Sequence, residues 1–395
     1  MTTRGTRTLR ARAKIDRSAA LPAFARDRVL RVPARLAEAP KARRRQGCPA
    51  AEGRPEGLRY ERPLRILKRA PASQSPQRAD CFAGFAFNRR MCWVLIACAL
   101  VSCNRGTGTT GTQAPRIALV LKTLNSPFFN DMQRGAQAAA TRLGVNLVVQ
   151  AADREVDVDR QMQILENLIQ TGVQAIALTP SGSRELVPAV VKANKANIPV
   201  VIIDTRLDTA AAEEAGAKIV SFIGSDNYQG GRVAASFVVE ATKGKARVAV
   251  LEGIPGHETG DSRMRGFKDG IKDSPGIQIV ASQTANWERD QGFNVLQNML
   301  QAHPEVDTVF ACNDMMALGA VEAIRAAGKT GSIKVVGFDA VDDARKAITE
   351  GTMVASVAQF PEEMGRVAVE NAVHALRGEP LTADVSVRIE LVTRK

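Results

Sequence analysis

Residues 117–129, IALVLKTLNSPFF, decide the fold. The aliphatic run 117–121 is typical of a strand buried on both faces. The run breaks at Lys122, and Ser126 followed by Pro127 is typical of a helix start, with an N-cap residue and then proline in the first turn. Polar and aromatic side chains therefore gather where a strand's carboxyl end meets a helix's amino end, which is where open α/β sheets bind ligands.

Downstream of this stretch, short apolar runs alternate with segments of helical period. Strands are predicted at 117–121, 145–150, 175–178, 199–203 and 219–223, with helices at 128–143, 156–171 and 184–196. The pattern restarts with strands at 247–251, 278–281, 308–311 and 334–338, and with helices from about 261, at 289–301 and at 315–327. This order requires right-handed crossovers and predicts parallel sheets with helices on both faces. The restart predicts two similar α/β lobes with a cleft between their strand ends, with chance similarity as the alternative.

The charge is distributed unevenly along the 395 residues. The whole chain has 54 basic and 41 acidic residues, a net charge of +13. Residues 1–90 contain 23 Lys and Arg against 7 acids, which leaves 31 bases and 34 acids for the rest. The basic balance therefore does not describe the predicted lobes, and it gives no support for nucleic-acid binding by them.

Residues 1–90 contain 20 arginines and no sustained apolar period. One interpretation is a disordered arm that binds RNA or an anionic surface. The other, which we favour, is that translation begins further downstream, because the next segment has the features of an export signal.

That next segment, residues 91–103, follows Arg89 and Arg90 and contains the apolar run CWVLIACALV. The run is too short for a membrane span, which needs about 20 residues, and is typical of a secretory signal. Its ending, Leu-Val-Ser-Cys, resembles the lipobox of bacterial lipoproteins, which implies acylation of Cys103; a plain signal peptide is the alternative. A start at Met91 would discard both arginines, so the start site stays open. Residues 104–115, rich in Gly and Thr, are predicted to be a flexible tether.

Polar and aromatic residues follow the predicted strands throughout the two lobes. Rings flanked by carboxylates, amides and a guanidinium suit a neutral polyhydroxyl ligand, because rings cover C–H faces while fixed polar groups bond each hydroxyl. The residues gathered by this rule are Lys122, Ser126, Phe128, Phe129, Asp204, Arg206, His257, Arg263, Trp287, Asn313, Asp339 and Gln359. Core, turn, cap or surface roles are the alternatives for several of them, including Phe128, Asp204, Asn313 and Arg206.

Several phrases resemble one family over most of residues 116–395: TLNSPFF, NIPVVIID, ASQTANWERDQGFNVLQNML, HPEVDTVFACNDMMALGA and VVGFDA. The chain is similar to the periplasmic sugar-binding proteins of the ribose and allose type, which serve ABC importers. The resemblance implies a type I periplasmic binding protein: two doubly wound parallel-sheet lobes joined by a three-segment hinge near 223–226, 359–361 and 384–388. It places the first lobe at 116–225 plus 360–387 and the second at 226–359 plus 388–395.

The resemblance also implies roles for individual residues. Phe129 and Trp287 would stack on the sugar from opposite lobes, and the ring hydroxyls would be bound by Asp204, Arg263, Asn313, Asp339 and Gln359. Lys122 departs from the ribose pattern and matches the allose-type phrase VLKTL, while Arg206 stands where the family has lysine. Ser126 replaces an asparagine, which leaves one hydroxyl contact open. Asp261 replaces an arginine of the ribose type, which disfavours ribose and favours an allose-like aldohexose.

These features predict a binding protein rather than an enzyme. With three histidines, no spaced metal-ligand cluster and no P-loop, GxGxxG or nucleophile motif, no cofactor or metal is expected. The expected partners are a monosaccharide and the permease and ATPase of an importer, with the chain itself a monomer tethered to the membrane at the periplasmic or cell surface. The alternatives are a sugar-sensing receptor for chemotaxis or signalling, and the effector domain of a LacI-type regulator.

Overall fold

The computed structural model describes residues 114–394. Within this range the strands are β1 (Arg116–Thr123), β2 (Asn146–Ala152), β3 (Ala175–Leu178), β4 (Val200–Ile203), β5 (Ser221–Ser225), β6 (Ala246–Glu252), β7 (Ile277–Thr284), β8 (Thr308–Ala311), β9 (Lys334–Asp339), β10 (Ala355–Ala358), β11 (Asp384–Val387) and β12 (Glu390–Thr393). The helices are α1 (Pro127–Leu143), α2 (Val158–Gln170), α3 (Val187–Lys195), α4 (Thr209–Ala215), α5 (Asn227–Ala241), α6 (Glu258–Ile271), α7 (Arg289–Ala302), α8 (Asp314–Ala326), α9 (Asp342–Glu350) and α10 (Pro361–Arg377). The sequence predictions for residues 1–113, including the signal, Cys103 and most of the tether, lie outside this range.

The strands form two sheets of the same design. The first has the order β11-β5-β4-β3-β1-β2 and the second β12-β10-β9-β8-β6-β7. The neighbouring strands run parallel, except that β12 is antiparallel to β10. The first lobe consists of the first sheet with α1–α4 and α10, and the second lobe consists of the second sheet with α5–α9. The predicted fold class, two doubly wound parallel-sheet lobes, is confirmed.

The chain passes from one sheet to the other three times. It leaves β5 for the second lobe at Asp226, returns between β10 and α10 at Gln359, and crosses again between β11 and β12 at Arg388. Because the chain crosses three times, each lobe is built from two separate parts of the chain. Three such crossings side by side form a hinge, which allows one lobe to rotate against the other.

The predicted elements agree with the structure to within a few residues at each end. The sequence pattern did not locate α4, α5, α9, α10 or the last three strands. Strands β10, β11 and β12 have four residues each and each of them contains polar residues, unlike the equally short but wholly apolar β3 and β4, so their apolar pattern cannot be distinguished from a loop. The predicted helix start is confirmed: Ser126 is the N-cap of α1 and Pro127 is its first residue. The Ser126 side chain, however, makes no capping hydrogen bond.

Both lobes contain helices that cross with their backbones in close approach. A Cβ on Gly135 of α1 would lie 1.9 Å from the Glu362 oxygen of α10, and one on Gly365 of α10 would lie 1.9 Å from the Met132 oxygen. In the second lobe, the Met264-Arg265-Gly266 phrase that parallels residues 132–135 makes the same kind of contact, with Gly266 against the Tyr228 oxygen. Only glycine permits such an approach, so the internal repeat in the sequence corresponds to a repeated helix crossing.

Candidate functional site

A small cavity lies where the carboxyl ends of the strands in the two sheets face each other. Side chains of both lobes line it: Lys122, Ser126, Phe128, Phe129, Glu155 and Asp204 from the first, and Thr259, Arg263, Trp287, Asn313 and Asp339 from the second. Its volume is about 20 Å³, room for about one water molecule. Any larger ligand therefore requires the lobes to part further than they do in this structure.

Arg263 and Asp339 form the charged centre of the second lobe's half of the cavity. The Arg263 side chain is buried and that of Asp339 is 10% exposed, with Arg263 Nη1 3.6 Å from Asp339 Oδ1. Arg263 is fixed by hydrogen bonds from Nε to Asn227 Oδ1 at 2.9 Å and from Nη1 to the Cys312 oxygen at 2.6 Å. Burial raises the pKa of Asp339 to about 6, although Arg263 and a hydrogen bond from Gln359 favour the ionised form. A guanidinium held this firmly can offer its remaining N–H groups to a ligand without losing its orientation.

Trp287 and Asn313 complete this half. The Trp287 ring is buried against Gly253, where a Cβ would lie 1.9 Å from the indole, and its Nε1 donates to His257 Nδ1 at 3.4 Å. Asn313 caps α8 by accepting from the Met316 N–H at 2.9 Å, and its Nδ2 donates to the Trp287 oxygen at 3.1 Å. The cap role and the cavity role, which the sequence left as alternatives, are therefore held by one side chain.

Backbone strain is concentrated around the cavity. Of the seven non-glycine residues with positive φ in the described range, three are the cavity residues Asp204 (63°), Trp287 (69°) and Asp339 (105°). The turn after Asp339 is fixed from behind by the buried Asp314 carboxylate, which accepts from the Val341 N–H at 2.9 Å and from Ser356 Oγ at 2.7 Å. Such conformations cost about 1–3 kcal/mol each and persist where the surroundings impose them, which is typical of binding sites.

The first lobe's half contains a buried cluster of unlike charges. Lys122 Nζ lies 3.6 Å from Glu155 Oε2 and 3.5 Å from Asp204 Oδ2, and all three side chains are nearly inaccessible to solvent. Burial raises the pKa of Glu155 to about 7, against the effect of Lys122. Asp204 also accepts a hydrogen bond from Thr205 Oγ1 at 3.0 Å. The cluster presents both donors and acceptors to the cavity, as a hydroxyl-bearing ligand requires.

Aromatic surface comes from the first turn of α1. Phe128 and Phe129 are buried and pack edge to face with ring centroids 5.3 Å apart, and Lys122 Nζ lies 5.7 Å from the Phe129 centroid. The Ser126 side chain also lines the cavity. Phe129 and Trp287 thus contribute rings to one cavity from the two lobes, as the sequence predicted.

Two predicted site residues lie elsewhere. Arg206 is half exposed, pairs with Asp384 at 2.7 Å and covers the Phe222 ring, so it does not line the cavity. Arg206 lies three residues after the end of β4, whereas Asp204 follows the strand directly. The Arg206 side chain points outward to the surface of the first lobe. Gln359 is buried behind Asp339, to which its Nε2 donates at 2.8 Å, and so it supports the cavity wall without forming it.

Sequence reasoning missed Glu155 and Thr259. Glu155 follows β2 and Thr259 follows β6, so the strand-end rule that found the other residues applied to both. The stretches that contain them, AADREVD and HETG, have the composition of ordinary polar loops, so no local sequence signal distinguishes either residue.

Direct contacts join the lobes beside the cavity. Thr205 Oγ1 of the first lobe lies 2.8 Å from Thr259 Oγ1 of the second, and the Glu258 N–H donates to Ser183 Oγ at 3.2 Å. Since the amino end of α6 carries both second-lobe residues, this helix end closes onto the first lobe. Opening of the cleft must break these bonds.

The cavity combines stacking surface with fixed hydrogen-bonding groups. Among residues 114–394, no group of three or more His, Cys, Asp or Glu is placed to hold a metal ion. In the same range no helix is both long and apolar enough to cross a bilayer.

Comparison with known proteins gives a consistent result. The family described as "Periplasmic binding protein domain" matches residues 117–380. The chain is 38% identical over 279 residues to the "Ribose import binding protein RbsB" of Escherichia coli K12, covering 71% of this chain and 90% of that protein, and 35% identical over 286 residues to that organism's "D-allose-binding periplasmic protein", covering 72% and 92%. A crystal structure of an ABC transporter periplasmic solute-binding protein from Actinobacillus succinogenes 130z with bound D-allose is similar with a TM-score of 0.67 and 38% identity, covering 71% of this chain and 97% of that one. The chain belongs to the periplasmic binding protein family.

Proposed function

We propose that this protein captures a monosaccharide in the cavity by hinge closure and delivers it to an ABC importer. The observation that carries the proposal is one buried cavity in which rings, carboxylates, an amide and a guanidinium from both lobes face each other. As a member of a family of extracytoplasmic binding proteins, the chain is not an enzyme. Binding energy is used to close the lobes, and release to the importer follows when they reopen.

The relatives favour a neutral sugar as the ligand. One is named for ribose and another for D-allose, and a similar solved protein from Agrobacterium vitis holds D-fucose. The first lobe's Lys122 corresponds to the allose-type phrase, and Asp261 replaces the arginine of the ribose type. We therefore propose an allose-like aldohexose as the preferred ligand.

The available interactions are sufficient for tight binding. A micromolar dissociation constant corresponds to about −8 kcal/mol. A hydrogen bond to a charged group contributes about 1.5–3 kcal/mol, and Lys122, Asp204, Arg263 and Asp339 each offer at least one. The excess is consumed by the lost freedom of the sugar and by closing the lobes.

The sequence around Cys103 supports a membrane tether. The lipobox-like ending and the Gly/Thr-rich segment that follows would anchor the binding protein by acyl chains and let it reach a permease. In this arrangement the protein acts as a monomer on the outer side of the membrane. Metabolic labelling with a radioactive fatty acid, lost on Cys103→Ser, tests the anchor independently of sugar binding.

Two measurements test the proposed function. The first is a thermal-shift screen of aldohexoses, pentoses and inositols, because a ligand that binds only the folded state raises the melting temperature. The second is calorimetry of Asp339→Ala and Trp287→Ala, which we expect to weaken binding of the identified sugar at least tenfold, about 1.4 kcal/mol. The matched control is Asp343→Ala, an exposed acid of α9 outside the cavity. Unchanged affinity in both cavity variants would show that the sugar does not bind in this cavity.

A further inference from the structure

Glu155 is a buried carboxylate whose position in the cavity has no structural explanation. It follows β2 at the same edge of the sheet as Lys122 and Asp204, and it is 6% exposed. Its Oε2 lies 3.6 Å from Lys122 Nζ, too far for a hydrogen bond. In the described range, neither the Glu155 carboxylate nor the Lys122 ammonium has a side-chain hydrogen bond.

This differs from the other buried cation of the cavity. Arg263 donates to Asn227 and to the Cys312 oxygen at 2.9 and 2.6 Å, so the fold itself satisfies it. Burying an ionised group without hydrogen bonds is costly, and the raised pKa of Glu155, about 7, reflects that cost. The ion pair of Glu155 and Lys122 therefore contributes little net stability to the ligand-free protein, and both side chains line the cavity, where a ligand can hydrogen-bond to them.

The distances fit a hydroxyl group between the charged atoms. An oxygen at about 2.8 Å from each of two atoms that lie 3.6 Å apart can accept from the ammonium and donate to the carboxylate. The same geometry exists between Lys122 Nζ and Asp204 Oδ2, which are 3.5 Å apart. Because both gaps share Lys122, the two hydroxyls must be close neighbours on the ligand.

We propose that Glu155 is a specificity-determining residue which, with Lys122 and Asp204, recognises two adjacent hydroxyls on the sugar ring. The inference rests on the proposed sugar-binding function and adds the chemical group that this half of the cavity selects, a vicinal diol. A sugar that lacks either hydroxyl leaves a buried charge without a partner. A site built to bond a hydroxyl rejects an analogue without it far more strongly than an apolar pocket does.

The test combines a protein variant with a ligand variant. D-allose, D-ribose, D-glucose and D-galactose are first screened by thermal shift, and the singly deoxygenated derivatives of the sugar that binds are then measured by calorimetry. The protein variants are Glu155→Gln, which keeps size and burial, and the control Glu166→Gln on α2, whose exposed carboxylate pairs with Lys192. Far-ultraviolet circular dichroism and denaturant unfolding verify that both variants fold.

We expect the parent protein to bind one deoxygenated sugar at least about tenfold more weakly than the full sugar. Glu155→Gln should bind the full sugar about tenfold more weakly, yet should bind that deoxygenated sugar within about threefold of the full one, since the contact is already lost. Glu166→Gln should behave as the parent. Coupling between one protein carboxylate and one ligand hydroxyl is a result that a purely structural role of Glu155 would not give.

Three results would overturn the inference in different ways. If the parent binds a sugar and Glu155→Gln shows the same affinities for the full and deoxygenated sugars as the parent, Glu155 has no part in selection while the proposed function stands. If Glu155→Gln fails to fold, the calorimetry is repeated with Glu155→Asp, whose shorter carboxylate should weaken discrimination at the same hydroxyl; unchanged discrimination contradicts the proposal. If no sugar stabilises the parent, the proposed function itself fails and this inference with it.

Discussion

The two halves of the cavity differ in how far the protein itself satisfies their polar groups. In the second lobe, Arg263 and Asn313 make hydrogen bonds to backbone and side-chain atoms, and Trp287 is buried against a glycine. In the first lobe, Lys122 and Glu155 are equally buried but are held only by charge at distances of 3.5–3.6 Å. Two sheets of the same order thus support one half that is already assembled and one that needs a ligand.

This contrast predicts which property a substitution will change. Groups bonded within the protein contribute to the stability of the ligand-free fold, so their loss should appear in unfolding experiments. Groups whose hydrogen bonds are completed only by a ligand should change affinity and selectivity as well. Variants in the two halves test the distinction directly.

The largest effect is expected for Arg263→Met. The change leaves the Asp339 carboxylate buried without its nearest cation and frees the Cys312 oxygen, so the free energy of unfolding without sugar should fall by about 3–5 kcal/mol. Urea denaturation measures it. Arg265→Met, on the same helix but exposed, is the control and should change by less than about 0.5 kcal/mol. Equal midpoints for Arg263→Met and the parent would refute the idea of a preassembled second half.

A smaller effect, visible only in acid, is expected for His257→Gln. Burial, followed by the charge of Lys122, lowers the pKa of His257 to about 3, so the folded protein holds it neutral. Below pH about 6.5 the unfolded chain binds a proton that the folded one refuses, and the free energy of unfolding falls by up to about 1.4 kcal/mol per pH unit. The contribution of neutral His257 to the free energy of unfolding is thus fully present above pH about 6.5 and is lost as the pH falls towards 3.

The measurement is denaturant unfolding of both proteins at pH about 7.5 and about 5. His257→Gln should lose less stability on acidification than the parent, because glutamine does not titrate. His374→Gln, a partly exposed histidine of α10, should follow the parent. An identical acid loss in His257→Gln and the parent would show that this histidine is not kept neutral by the second lobe.

The smallest effect concerns selectivity and tests the first half. Lys122→Ser should shift preference from hexose towards pentose, with the ratio of the D-allose and D-ribose dissociation constants changing by about tenfold, the contribution of one charge-assisted hydrogen bond. Competition between the two sugars measures the ratio, and Lys192→Ser on the surface of the same lobe serves as the control. A ratio that does not move would place Lys122 outside ligand recognition.

Much of the fold could be predicted because hydrophobic periodicity and strand-to-helix order are local properties of the sequence. The buried run at the start of β1 and the Ser126-Pro127 helix start sufficed to place the sheet edge where Lys122 and Phe129 lie. The restart of the strand and helix pattern at residues 247–251 indicated two lobes. The four-residue strands near the carboxyl end could not be placed, because pairing with distant strands determines them.

The candidate site was predictable only to the level of strand ends. That rule brought Asp204, Trp287 and Asp339 into one cavity, but it also selected Arg206, whose side chain turns to Asp384 on the surface. The direction of a side chain three residues beyond a strand depends on the intervening turn, and the positive φ of Asp204 shapes that turn. Glu155 was missed for the converse reason, because its loop carries no aromatic or amide that would draw attention to it.

The crossing of α1 and α10 has a consequence for how the chain acquires its structure. Helix α10 packs on α1 through Gly135 and Gly365, yet all of the second lobe except β12 is synthesised between them. A ribosome that has produced β1 to β5 has therefore not produced the segment that covers one face of their sheet. The sheet of the first lobe therefore cannot complete its packing until α10 has been synthesised, and the apolar face that α10 covers stays open until then.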